Sequence, residues 1–184
     1  MRYLVLSAAV LACALMALAT LTAPAEAPAR GLVLLRRGDA YLLSNIARHR
    51  HDTWRWQRLM GKPRTPASNH VRRSRSPHYR RWVLRVWAKR AQRVRRQAFR
   101  PPRKRAWLCI HRHEGPWHDR NAPYYGGLQM DLAFQRRYGA SLLRRKGTAD
   151  RWSPIEQIWV AERAFRSGRG FHPWPNMARR CGLI

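Results

Sequence analysis

Ala106-Trp107-Leu108-Cys109-Ile110-His111-Arg112-His113-Glu114-Gly115-Pro116-Trp117 reads as a short helix with an abrupt end. Trp107, Ile110 and Glu114 recur at three- and four-residue steps and so share neighbouring faces, while Gly115-Pro116 stops the helix. Glu114 therefore sits in the last turn. There the negative end of the helix dipole and an apolar wall such as Trp117 both disfavour a carboxylate, which predicts a raised pKa of the kind a general acid needs near neutral pH. A lone glutamate at a helix end is commonly solvated and inert, so its neighbours decide its meaning.

Ten residues on, Tyr124-Tyr125-Gly126-Gly127-Leu128-Gln129-Met130-Asp131 sets two aromatic rings before paired glycines and then an amide and a carboxylate. Paired glycines let a backbone turn tightly and come close to a bound chain. Aromatic faces beside Gln129 and Asp131 suit a sugar, whose C–H faces stack on rings and whose hydroxyls need donors and acceptors. The bland alternative is a hairpin turn with ordinary core aromatics. Further along, Ser153-Pro154-Ile155-Glu156 is a capping box with proline at the first helical position. Ile155, Ile158, Trp159 and Phe165 then form a helical stripe up to Gly168, and Gln157 lies off it, able to face a cleft.

Toward the amino terminus the character changes. The 184-residue chain carries 38 Lys and Arg against 9 Asp and Glu, a net charge of +29. From Pro28 to Arg105 there are 24 basic residues and two acids, Asp39 and Asp52, whereas Ala106 to Ile184 holds 13 basic residues and six acids. The breaks Lys62–Asn69 and Pro101-Pro102 punctuate the basic part, and the domain boundary is expected at the second. Between them Val83, Val86, Trp87, Ala91, Val94 and Ala98 recur at helical steps among arginines, predicting an amphipathic helix over Tyr79–Phe99. A second helix is expected within Tyr41–Met60.

Met1-Arg2, an apolar run from Tyr3 to Leu21, and the small-residue triplet Ala25-Glu26-Ala27 match an export signal with cleavage near Pro28. A membrane anchor is the alternative. Cys13 follows a loosely lipoprotein-like Val10-Leu11-Ala12, but the apolar run continues past it. Cleavage leaves Cys109 and Cys181, an even pair in an exported chain, read as one disulfide closing 72 residues. Export also removes the basic region from nucleic acid, so no nucleic-acid partner is expected. Anionic wall polymers or lipid head groups are the expected partners, a plain solvated stalk being the alternative. His111, His113 and His118 raise a third possibility, a zinc site, but His-x-His spacing suits a strand better than this helix.

Taken together, these blocks resemble the transglycosylase-like domain of resuscitation-promoting factors, exported actinobacterial enzymes. The resemblance spans Trp107 to Cys181. It rests on Trp107 and Cys109 before a helix-terminal Glu114, Tyr124 to Met130, Glu156-Gln157-Ile158 with Ala161-Glu162-Arg163, and Trp174-Pro175 before Cys181. It implies a small lysozyme-like domain, α+β and mainly α with one disulfide, over 106–184; the signal peptide expected at 1–27 and the basic helical region at 28–105 precede it. The activity implied is cleavage of the MurNAc–GlcNAc β-1,4 bond of peptidoglycan without a cofactor, by a secreted, wall-associated protein whose partner is the glycan strand. Glu114 is implied as the catalytic acid and Asp131 as the second cleft carboxylate, with Tyr124, Tyr125, Gln129, Gln157 and Trp174 along the substrate. The alternative is a non-catalytic wall or polyanion binder on a degenerate domain.

Three positions depart from the family pattern. Glu114-Gly115-Pro116-Trp117 stands where Glu-Ser-Gly-Gly is usual, Cys109 lies five residues before the glutamate rather than beside it, and the following loop is about three residues shorter.

Overall fold

The computed structural model describes residues 27–184, with side chains from Gly38 onward. Apart from Ala27, the leader expected over residues 1–27 lies outside the described residues. By their contacts the described residues divide into two units between Tyr41 and Leu42. The described part of the first is the opening of helix α1 (Ala27–Leu59).

The second unit is α+β and mainly α. After α1 come a single turn α2 (His70–Arg73), the long α3 (Pro77–Ala98) and α4 (Lys104–Glu114). A minimal antiparallel hairpin, β1 (Tyr124–Tyr125) with β2 (Met130–Asp131), pairs Tyr124 with Asp131 and Tyr125 with Met130. Then follow α5 (Leu132–Lys146), a 3-10 turn at Ala149–Arg151, α6 (Pro154–Ala164), a π turn at Phe165–Arg169 and α7 (Pro175–Arg180). No helix among the described residues is long and apolar enough to cross a membrane.

Local chemistry accounts for the boundaries. Ser76 accepts a hydrogen bond from the Tyr79 amide and precedes Pro77, so α3 starts with a cap and a preset φ. α6 opens with the expected capping box: Glu156 Oε2 accepts from the Ser153 amide at 2.8 Å and from its hydroxyl at 3.0 Å. Gly115 ends α4, as the sequence predicts. Gly168 takes φ +93°, a left-handed value that ends the last turn beyond α6.

The apolar stripe of α3 divides between two cores. Val83 and Trp87 join Ile46 of α1 and Val71 of α2 in a small cluster, where Trp54 meets Trp87 edge to face at 6.1 Å. Val94 and Ala98 instead enter the main core with Leu59, Met60, Trp107, Ile110, Leu128, Phe134, Trp152, Ile158 and Trp174. Val86 remains only partly covered. The main core is thus continuous across the expected boundary at Arg105: the basic segment supplies one of its walls. Trp159 Nε1 donates to the Ala98 carbonyl at 2.7 Å, and Arg163 Nη1 donates to the Leu59 carbonyl at 2.8 Å. A fragment of residues 106–184 alone loses these acceptors and exposes the apolar surface of Trp159 and its core neighbours to water. It is expected to melt non-cooperatively where the longer chain gives one sharp transition, as near-UV circular dichroism on heating will register.

Cys109 and Cys181 are bonded, with their Cα atoms 6.1 Å apart, and the bridge joins α4 to the residue that follows α7. Closing 72 residues removes entropy from the unfolded chain, about 4 kcal/mol in the loop-closure account. The bridge anchors the helix whose last residue is Glu114.

Candidate functional site

Glu114 ends α4 partly buried, and burial raises its pKa from the usual 4.5. It makes no hydrogen bond or ion pair with any described residue, in a chain carrying 38 basic side chains. The other five acids of the 106–184 segment are all engaged. Glu156 is held by Lys146 at 2.7 Å and Glu162 by Arg103 at 2.9 Å. Asp150 accepts from Thr148 and faces Arg120 at 3.8 Å. Asp119 accepts from Gln129, and Asp131 caps α5. Among the described acids of the 106–184 segment, only Glu114 keeps a carboxyl with both oxygens uncommitted and a raised proton affinity.

A groove of about 290 Å³ runs beside the hairpin and is lined in part by Tyr124, Gln129, Asp131, Phe134, Arg137, Arg169 and Trp174. Four residues expected from the sequence at the substrate, Tyr124, Gln129, Asp131 and Trp174, thus share one depression. Tyr124 is half exposed, its ring available for stacking. Trp174 is mostly buried, with Nε1 donating to the Leu128 carbonyl at 2.7 Å, so it closes the groove floor from the core side. Asp131 has a double role: its Oδ1 accepts from the Phe134 amide at 2.6 Å while the residue faces the groove.

Glu114 does not line this groove; Gln129 bridges the two. The position a Cβ would take on Gly115, next to Glu114, is 3.5 Å from Gln129 Nε2. Gln129 donates through Nε2 to Asp119 Oδ2 at 2.7 Å and to the Gly126 carbonyl at 3.0 Å. Its backbone φ is +45°, the one non-glycine value in the left-handed region among the described residues. Such a conformation costs about 1–2 kcal/mol, and here it holds the amide against the end of α4.

Two expected residues lie elsewhere. Gln157 is fully buried and donates to the carbonyls of Trp117 at 2.8 Å, Ala149 at 2.9 Å and Trp152 at 3.2 Å. It ties the loop carrying Trp117 to the turn carrying Ala149 and Trp152, inside the protein rather than facing a cleft. Its off-stripe position is real, but the loops fold over it. Tyr125 is partly covered and packs against the main core rather than lining the groove.

The paired glycines likewise serve an internal approach. A Cβ on Gly126, at φ +74°, would fall 2.6 Å from Gln157 Oε1, and one on Gly127 would fall 2.5 Å from His111 Nδ1 and 2.9 Å from Trp117 Cε3. His111 and Trp117 stack with ring centres 3.8 Å apart, and His111 Nδ1 contacts the Gly127 carbonyl at 3.1 Å. The stack braces the hairpin against α4 one turn before Glu114. Gly127→Ala must part it, so a loss of about 1–3 kcal/mol is expected in urea denaturation, with the midpoint falling while the slope stays constant.

The histidines considered as a zinc site do not converge. His111 is in the stack, and His118 Nδ1 contacts the Asp150 carbonyl at 2.8 Å. His113 lies near Cys109 and Cys181, the one potential ligand cluster among the described residues, but both sulfurs are committed to the disulfide.

Asp119, Arg137 and Arg169 were not singled out by the sequence reading. Asp119 was legible in principle, since Asp-x-Asn makes a turn in which Oδ1 accepts from the Asn121 amide, at 3.1 Å here. Nothing distinguishes Arg137 and Arg169 from the many surface arginines until the fold brings them to one groove. No protein-family model matches the chain, and no curated protein sequence matches it.

Proposed function

We propose that this chain is an exported peptidoglycan glycosidase that cleaves the MurNAc–GlcNAc bond with Glu114 as its acid and base. The observation that carries the reading is the unpaired, partly buried Glu114 at a helix end whose Gly115 approaches Gln129, a residue that lines a groove of aromatic, amide and carboxylate side chains. The ordered likeness of Trp107 to Cys181 to resuscitation-promoting-factor domains adds independent support.

In this reading Tyr124 stacks on a sugar face, and Gln129 and the free oxygen of Asp131 bond hydroxyls or amides of the strand. Protonated Glu114 gives its proton to the glycosidic oxygen as the C–O bond breaks and positive charge develops at the anomeric carbon. Because Asp131 Oδ1 is bound to the Phe134 amide, the muramic residue's own 6-hydroxyl completes the step. It attacks the anomeric carbon while the Glu114 carboxylate takes its proton, so the product carries a 1,6-anhydro ring and no water is consumed. The chemistry calls for no cofactor.

The competing reading is a wall-binding protein without catalysis. It draws on the inward position of Gln157 and the altered Gly115-Pro116 turn. Dye-labelled peptidoglycan separates the two: a glycosidase releases soluble label, whereas a binder sediments with the wall and leaves the supernatant colourless.

A further inference from the structure

We propose that a second pocket, enclosed by α1, α5 and α6, binds the phosphodiester groups of an anionic polymer at a site separate from the groove beside Glu114. The pocket measures about 400 Å³, and its lining includes Trp54, Trp56, Arg58, Arg145 and Arg163. That volume accommodates a phosphate together with an adjoining polyol or sugar unit. Its one carboxylate, Glu156, is already bound to Lys146 through both oxygens at 2.7 and 2.8 Å. The remaining cationic heads have no carboxylate partner among the described residues.

Arg163 is the centre of the site. Its Nε donates to the Tyr138 carbonyl at 2.6 Å and its Nη1 to the Leu59 carbonyl at 2.8 Å, which fixes the guanidinium plane and leaves Nη2 with no protein acceptor. Burial, with Arg166 beside it, lowers the Arg163 pKa to about 10. A desolvated cation without a counter-ion gains most from an incoming anion. A tetrahedral phosphate offers several acceptor oxygens to the guanidiniums of Arg58, Arg145 and Arg163, which line the same pocket, and guanidinium forks match phosphate well. The part-buried indoles of Trp54 and Trp56 supply apolar surface for the unit between phosphates. The concave form of the pocket favours a flexible polymer, which can follow it, over a flat bilayer. The site gives the basic segment a defined role in wall retention that does not depend on cleavage.

The test uses the intact chain and inorganic tripolyphosphate as probe, followed by calorimetry and tryptophan fluorescence at physiological salt. Saturable one-to-one binding is expected. Arg58→Ala with Arg145→Ala is expected to weaken it about tenfold or more, since both guanidiniums line the pocket and charge-assisted hydrogen bonds to phosphate are the strong ones. The charge-matched pair Arg93→Ala with Arg96→Ala, on the exposed face of α3 and outside the pocket lining, is expected to change it less than about twofold, the small effect of charges that do not touch the ligand. Equal weakening by both pairs overturns the proposal, because it means diffuse attraction to a basic surface. So does the absence of saturable binding by the parent chain. Binding to phosphatidylglycerol vesicles but not to tripolyphosphate also overturns it and points to a membrane surface.

Discussion

Glu162→Ala is expected to destabilise the protein by about 3–5 kcal/mol, the range for removing one partner of a buried ion pair. Glu162 is fully buried. Its Oε1 accepts from Trp107 Nε1 at 2.9 Å and from the Arg103 amide at 3.0 Å, and its Oε2 accepts from Arg103 Nη1 at 2.9 Å. The Arg103 guanidinium also lies 3.6 Å from the Phe165 ring centre. One carboxylate on α6 therefore fixes the start of α4 and the indole at the centre of the core. Alanine leaves the Trp107 N–H buried without an acceptor and the Arg103 charge half-covered. Glu162→Gln keeps one acceptor and loses the charge, so a smaller loss of about 1–3 kcal/mol follows. Urea denaturation of the three proteins gives the order parent, glutamine, alanine. Against a net stability of about 5–15 kcal/mol for a domain, that loss is a large share of the whole.

Glu114→Gln is expected to slow glycan cleavage by about 10²–10⁴-fold, the usual contribution of a positioned acid–base group, with little change in wall binding. The amide has nearly the same shape but cannot donate a proton to the leaving oxygen. Because burial raises the Glu114 pKa, the parent rate should fall as pH rises through that raised value, and the residual rate of the variant should lack this limb. Stability should fall over the same pH range. A carboxyl whose folded pKa lies above its unfolded value binds more protons when folded, so its penalty is absent below the unfolded value of 4.5 and grows as pH rises toward the folded one. The glutamine variant escapes that penalty and should melt slightly above the parent at neutral pH.

Much of this architecture was legible because local chemistry decided it. The Ser153-Pro154-Ile155-Glu156 cap, the Gly115 stop and the apolar stripe of α3 each depend on residues within a few positions of one another. The pairing of Cys109 with Cys181 followed from their number. What the sequence hid was tertiary. The split of the α3 stripe between two cores, and the use of Leu59, Met60, Val94 and Ala98 to finish the main core, depend on how α1 and α3 meet α6. The charge contrast at Arg105 pointed to a boundary, but charge describes the solvated faces and says nothing of the apolar ones beneath. Gln157 looked available because it lies off its helix stripe, and only the loops carrying Trp117, Ala149 and Trp152 reveal why it is buried. Glu114 was legible as a helix-end acid. That it alone among six neighbouring acids lacks a partner required every other pairing to be known.

The central claim is that this one uncommitted carboxyl cuts the glycan strand. It is tested most directly by digesting purified peptidoglycan with the parent chain and with Glu114→Gln, and resolving the soluble fragments by mass spectrometry. The account predicts muropeptides ending in 1,6-anhydro-muramic acid from the parent and none above background from the variant. Equal fragment release by both proteins, or none from a parent chain that is folded, disulfide-bonded and bound to the wall, contradicts it.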